Sequence, residues 1–343
     1  MKRSFRVLAL LLAFALLCGC AGSPAASSAA QPGPAAPSSA APASSSEPAA
    51  DRPLPIEGID AEHFPLIDGS TANHPLLARI YEEITGLPRE EAETLVQFNL
   101  GSTGSIWEGM MNGSVDAPDL LIVYEPPEDV KDHYLFELNE LEIDPIGRDG
   151  LVFMVNAQNP VESLTVQQLY DIYTGKLTDW SEVGGEAGAI RPFQRNADSG
   201  SQTLFMKLLM QGNAPMEPPK ELYEGTMGGL IDAVAAFDGS GSAIGYSVYY
   251  YANLMHANPA LKLISVDGVA PTNETIGDKS YPLTNDFYVV IRADTPADSP
   301  VRALRDWLLT DEGRRILEEE NYVWARGGMP QESAGAGNPF AKG

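Results

Sequence analysis

Cysteine is nearly missing from this sequence, and the two that occur, Cys18 and Cys20, stand together after the first apolar run. A Cys-x-Cys pair with no His or Cys nearby lacks the partners of a metal site. The four histidines, His63, His74, His133 and His256, are scattered without ligand spacing, so no metal is expected. Basic residues are scarce too: 22 Lys and Arg face 47 Asp and Glu, a formal charge of −25. That balance argues against nucleic acid or an anionic membrane face as the main partner. It says little about a buried anion site, which answers to local dipoles and one or two charges. Motifs for catalysis are lacking as well. There is no Gly-x-Ser-x-Gly elbow, and Gly175-Lys176 runs on into Leu177, so no Walker A forms. The expectation is a binding protein with no cofactor, not an enzyme.

Only one apolar run stands out, Val7 to Leu17, and it falls short of the about 20 residues of a membrane span. A basic start, Met1-Lys2-Arg3-Ser4-Phe5-Arg6, precedes it, so residues 1–20 read as a secretory signal. Leu17-Cys18-Gly19-Cys20 resembles a bacterial lipobox, with Leu three before the modified Cys and Gly just before it. Cys18 departs from the small residue usual between them. Lipid on Cys20 would tether the protein to the outer face of the cell membrane; ordinary signal cleavage, with both cysteines incidental, is the competing reading. Residues 21–52 are almost entirely Ala, Ser, Pro, Gly and Gln and cannot bury enough apolar surface to fold. As a coil this linker would span roughly 30 Å, at about 5–6 Å per square-root residue.

From Pro53 the composition is that of a folded protein, long enough for two lobes. Strand-like runs occur at Thr94–Phe98, Asp119–Tyr124, Leu151–Val155, Ile190–Gln194, Ala243–Val248, Lys262–Val266 and Phe287–Ile291. Helical stripes lie between them. Asn73–Thr85 has Pro75 near its start and Gly86 past its end, and Thr165–Thr174 opens on Thr165 and Gln168 in capping-box spacing. Leu204 to Leu209 and Val301 to Leu308 form two more stripes. Such alternation predicts an α/β fold with mainly parallel sheets. The cluster Tyr246 to Tyr251 reads as a core strand running into a packed helix rather than a sugar platform.

Three junctions before helices share one chemistry: Asp68-Gly69-Ser70-Thr71-Ala72-Asn73, Gly101-Ser102-Thr103-Gly104-Ser105, and Arg195-Asn196-Ala197-Asp198-Ser199-Gly200-Ser201-Gln202-Thr203. The first N–H groups of a helix lack internal partners, and the macrodipole makes that end positive. Glycines let backbone approach a ligand, and hydroxyls such as those of Ser70, Thr71, Ser102, Thr103, Ser199, Ser201 and Thr203 add short donors. Each loop alone is an ordinary cap or turn. Three together, one carrying Arg195, point to a shared oxyanion.

These residues resemble the phosphate-binding proteins of bacterial ABC importers, a branch of the type II periplasmic-binding-protein superfamily. The resemblance covers Pro65 to Val323 and rests on the three loops, on Ile172-Tyr173-Thr174-Gly175-Lys176-Leu177-Thr178-Asp179-Trp180, and on Ala243-Ile244-Gly245-Tyr246. It implies two α/β lobes with a ligand cleft between them, residues 53–150 with 284–343 and residues 151–283. It implies a monomer that hands inorganic phosphate or a similar oxyanion to a membrane permease. Carried over by motif, the anion contacts fall on Thr71, Ser102, Arg195, Ser199, Gly200 and Ser201, with the N–H of Ala72 pointing inward. In the family an acidic residue after the second helix accepts the proton of hydrogen phosphate. Here an apolar run stands at that point, leaving Glu125, Asp68 or Asp198 as substitutes, or a different selectivity, such as another oxyanion or an organic phosphate.

Overall fold

In the computed structural model, residues 56, 58–97, 101–113, 117–236, 242–325 and 338–340 are described. The signal, Cys20 and the whole of the linker lie outside them. Strands β1 (Ile67–Gly69), β2 (Leu120–Val123) and β3 (Leu141–Asn156) come first, then β4 (Ser163–Leu164), β5 (Arg191–Pro192), β6 (Gln194–Arg195) and β7 (Tyr223–Glu224). They are followed by β8 (Ala243–Val248), β9 (Leu261–Leu263), β10 (Ser265–Val266), β11 (Thr284–Arg292) and β12 (Val323–Trp324). The α-helices are α1 (His74–Thr85), α2 (Arg89–Gln97), α3 (Thr103–Met111), α4 (Glu128–His133), α5 (Val166–Tyr173), α6 (Gly200–Leu204), α7 (Met227–Ala236), α8 (Asn273–Gly277), α9 (Pro300–Leu308) and α10 (Asp311–Glu319).

Strand β3 organises the molecule. At 16 residues it is roughly 50 Å long, from about 3.3 Å per residue. From Leu141 to Gly150 it pairs antiparallel with β11; from Leu151 to Val155 it pairs antiparallel with β8. The main sheet runs β1-β2-β11-β3-β8-β5, with β9 and β12 also on β3. Only the outer pairs β1/β2 and β8/β5 are parallel. The expectation of mainly parallel sheets is therefore corrected. Its cause is that two long strands, β3 and β11, carry the chain across in opposite senses, so each takes antiparallel neighbours. Two short parallel pairs, β4/β10 and β6/β7, complete the strands.

Beside β11 the sheet is covered on both faces, which is why Leu120 to Val123 form an unbroken apolar run. Leu120 and Ile122 join the larger core with Leu76, Ile80, Leu304 and Ile316, while Leu121 and Val123 join Ile106, Trp107, Met110 and Val290. Helix α1 ends on Gly86 at φ 72°, and the expected capping box forms at α5: Thr165 Oγ1 accepts from Gln168 N at 3.0 Å and Gln168 Oε1 from Thr165 N at 2.8 Å. The strand expected at Thr94–Phe98 is instead the end of α2, with Phe98 outside the described residues. Glu90 and Glu91 sit in its first turn, and Ala92 and Val96, four apart, are both buried. Among the described residues no helix is long and apolar enough to cross a membrane.

The β3/β11 ladder shifts register at Phe287/Tyr288, opposite Pro145, which has no N–H to donate. Phe287 then lies flat on Gly147: a Cβ there would stand 1.9 Å from its ring. Gly147→Ala should lower stability by at least about 2 kcal/mol through overpacking. Urea unfolding with an unchanged midpoint would contradict this packing.

Candidate functional site

Each of the three loops meets at least one other. Ser70, 2% exposed at the end of β1, has its Oγ 2.9 Å from Thr103 Oγ1 at the start of α3. Thr103 in turn abuts Gly200, where a Cβ would lie 2.7 Å from Thr103 Oγ1, and Gly104 N donates to Asp198 O at 3.2 Å. Glycine at 200 is required by this close approach.

The hydroxyls differ in how they are used. Ser102 caps α3 in the ordinary way, its Oγ accepting from Ser105 N at 3.2 Å and donating to Ser105 Oγ at 3.0 Å. Thr203 also turns back, donating to Ser199 O at 3.2 Å. Ser70 and Ser199 stand at cap positions too, yet neither hydroxyl caps a backbone N–H of its own helix. Ser199 Oγ faces Ser201 Oγ at 3.0 Å. Thr71 opens a 3₁₀ turn and is partly exposed, and Ala72 is buried with its carbonyl accepting from Tyr322 OH at 2.7 Å.

Arg195 dominates the electrostatics. Its side chain is buried, and among the described residues it makes no ion pair with a carboxylate. Its guanidinium bonds are long: Nη1 to Ser201 Oγ at 3.3 Å, Nη2 to Gly225 O at 3.3 Å and to Asn196 Oδ1 at 3.4 Å, with Nε unpaired. Burial pulls the guanidinium below its ordinary range. Desolvating a charge this way costs several kcal/mol unless an opposite charge joins it. Tyr246 orients the strand beneath: its OH accepts from Arg195 N at 3.0 Å and donates to Gln202 Oε1. Sequence reasoning read Tyr246 only as core. Its signal was a tyrosine in a largely apolar strand, because a buried hydroxyl needs a partner.

The acidic candidates fare differently. Glu125 is buried but held by Lys131 Nζ at 2.5 Å and by Lys207, which also donates to Asn285 Oδ1 at 2.9 Å. Its charge is satisfied by two cations, so it is not held for a ligand proton. Asp198 is exposed. Asp68 accepts from Gly69 N at 2.7 Å, and burial pushes its carboxyl up to about 6.

A family model described as "PBP superfamily domain" matches residues 41–312, well over half the chain. The chain belongs to the PBP superfamily. Similar to this superfamily member are the phosphate-binding protein PstS of Bacillus subtilis (strain 168), 24% identical over 75% of this chain and 79% of that one, and PstS of Staphylococcus aureus (strain USA300), 24% identical over 75% and 77%. Among solved structures, an ABC-type phosphate transport receptor from Vibrio cholerae aligns with TM-score 0.54 and 25% identity over 77% of this chain and 99% of that one. A phosphate-binding protein from Stenotrophomonas maltophilia aligns with TM-score 0.53 and 13% identity over 76% and 90%. The architecture is the two-lobed α/β fold of type II periplasmic-binding proteins.

Asp68 yields a pH prediction for this superfamily member. Its raised carboxyl favours the protonated fold, so that contribution is present below its usual value near 3.8 and is lost as pH rises through about 6. Asp68→Asn should therefore melt higher than wild type at about pH 7.5 and no differently at about pH 4. A gain that is equal at both pH values would remove the carboxyl as its source.

Proposed function

We propose that this chain is a lipid-anchored, extracytoplasmic solute-binding protein that captures an inorganic oxyanion, phosphate first, for an ABC importer. The observation that carries the reading is Arg195, a buried guanidinium with no carboxylate partner among the described residues, set beside Ser199, Ser201 and the Ser70–Thr103 pair. A tetrahedral anion supplies the missing negative charge and accepts from hydroxyls and backbone N–H groups at once. No bond is made or broken; affinity comes from donors already in place in a desolvated cleft. The names of the relatives agree with this ligand. In this reading one lobe holds residues 53–150 and 284–343 and the other 151–283, a division supported by the change of partner along β3 at Gly150/Leu151. Lipid on Cys20 keeps the receptor near its permease, and the protein acts as a monomer.

A second reading, a receptor or sensor for another oxyanion or an organic phosphate, draws support from Glu125. With that carboxylate tied to Lys131 and Lys207, it offers no acceptor to a ligand proton, the feature that would reject sulfate. Calorimetric titration of the full chain with phosphate, sulfate, molybdate and a phosphonate separates the two. Arg195→Met should weaken binding of the preferred anion at least about 100-fold, close to 3 kcal/mol. Near-normal affinity in that variant would overturn the assignment. For the anchor, Cys20→Ala should move the protein from the membrane fraction to the soluble exterior, and continued membrane association would exclude the lipid.

A further inference from the structure

The most deeply buried acidic group outside the anion loops is Asp149, 2% exposed on β3 one residue before the strand changes partner. Among the described residues no cation pairs with it. Four donors converge on it instead: Tyr124 OH at 2.7 Å, Gly150 N at 2.7 Å, Tyr250 N at 3.2 Å and Tyr249 N. Burial still pushes this carboxyl up to about 6 against their pull. A buried polar network satisfied in this way rigidifies the groups that donate to it.

Those donors lead to the anion loops by two routes. Tyr124, just past β2, makes three hydrogen bonds in three directions. Its OH donates to Asp149, its N–H donates to Ser70 Oγ at 3.2 Å, and its carbonyl accepts from Trp107 Nε1 at 2.8 Å. Ser70 belongs to the first loop, and Trp107 lies one turn beyond Thr103 of the second. On the other route, the ring of Tyr250 stacks on Tyr322 with centroids 3.6 Å apart, and Tyr322 OH donates to Ala72 O at 2.7 Å. One phenol held by one carboxylate is thus linked to both partners of the Ser70–Thr103 contact, in addition to the backbone bond of Ser70 N to Ile122 O at 3.2 Å.

We propose that Asp149, acting through Tyr124, is the positioning residue that sets the spacing of the first two anion loops. The proposal rests on the oxyanion reading above. The hydroxyl of Tyr124 touches neither Arg195 nor the loop hydroxyls; it acts by fixing the backbone that Ser70 and Trp107 grip. Substitution at either residue should therefore change affinity only as far as the Ser70 contact depends on it.

A double-mutant cycle on the full chain tests this, with phosphate and sulfate titrated calorimetrically into wild type, Tyr124→Phe, Ser70→Ala and the pair, and melting followed alongside. Wild type binding neither anion would overturn the functional reading itself, before any variant is compared. Given wild-type binding, Tyr124→Phe should lower affinity about tenfold, the scale of one misplaced hydrogen bond to a charged ligand. In the Ser70→Ala background the same change should cost less than about twofold, because the link is already cut. A purely structural hydroxyl would lower the melting temperature in both backgrounds and leave the affinity losses additive. Unchanged affinity in Tyr124→Phe, or additive losses, overturns the proposal. If Tyr124→Phe does not fold, Trp107→Phe removes the bond to the Tyr124 carbonyl together with part of a buried indole, and unchanged phosphate affinity there overturns it equally.

Discussion

A guanidinium taken out of water with no carboxylate in ion-pair contact is an unstable arrangement, and much of the surrounding structure makes sense as a means of sustaining it at Arg195, where Glu224 on the paired strand acts only at a distance. The residue lies on β6, a two-residue strand, so little regular pairing holds it. Tyr246 supplies the hold instead. The ring of Tyr246 stacks on Phe205 at 4.5 Å and packs near Phe153 and Tyr173, so its hydroxyl meets Arg195 N from a rigid base. The side chain is then left with three long bonds to neutral oxygens. Those contacts orient the fork without neutralising it, which keeps the charge available to an anion.

The crossing strands provide the second constraint. Strands β3 and β11 run through the middle of the sheet antiparallel to each other, and the loop after β1 reaches the loop before α6 by way of Thr103, which meets Ser70 on one side and Gly200 on the other. Gly147 and the register shift at Phe287/Tyr288 let the β3/β11 ladder pack tightly at the Phe287 ring. Arg148, one residue on, pairs with Asp286 at 2.7 Å and reaches Gly277 O and Ala325 O, tying both strands to α8 and to the residue after β12. Rigidity in the crossing region is what allows short loops to hold a geometry at all.

Much of this was legible in the sequence, and the reasons are local. Ser, Thr and Gly at a helix start encode an N-terminus whatever the surroundings, so the loops at Ser70, Ser102 and Ser199 could be picked out one by one. Pro75, Gly86, Thr165 and Gln168 fixed helix ends for the same reason. What stayed hidden is non-local. Nothing near Glu125 announces Lys207, 82 positions away, and a strand's apolar run is the same whether its neighbour is parallel or antiparallel. The helix at Thr94–Gln97 misled because Thr, Leu and Val suit strands, while the deciding burial of Ala92 and Val96 against a neighbouring helix is tertiary. Ser102 and Ser70 read alike in the chain, yet one spends its hydroxyl on its own helix and the other does not.

Glu125 shows how far a receptor of this build must balance its own contacts. Lys131 lies on α4, beside the first part of the sheet, whereas Lys207 lies in the π-helical turn that follows α6, beside the third loop. One carboxylate thus joins the two sides near the anion cluster, and Gly104 N to Asp198 O does so again at 3.2 Å. In the proposed reading each such tie favours the closed arrangement whether or not an anion is bound. A tie that held too firmly would shut the cleft to its ligand, since a ligand shifts an equilibrium only by its differential affinity for the two states. Lys207 is partly solvated, at 43% side-chain exposure, and an ion pair reached by water contributes far less than a dry one. The buried partner, Lys131, stays with Glu125 on one side, while the exposed one spans the gap. In the proposed reading that asymmetry places the weaker bond across the cleft, where a bound anion at Arg195 would add to what holds the loops together.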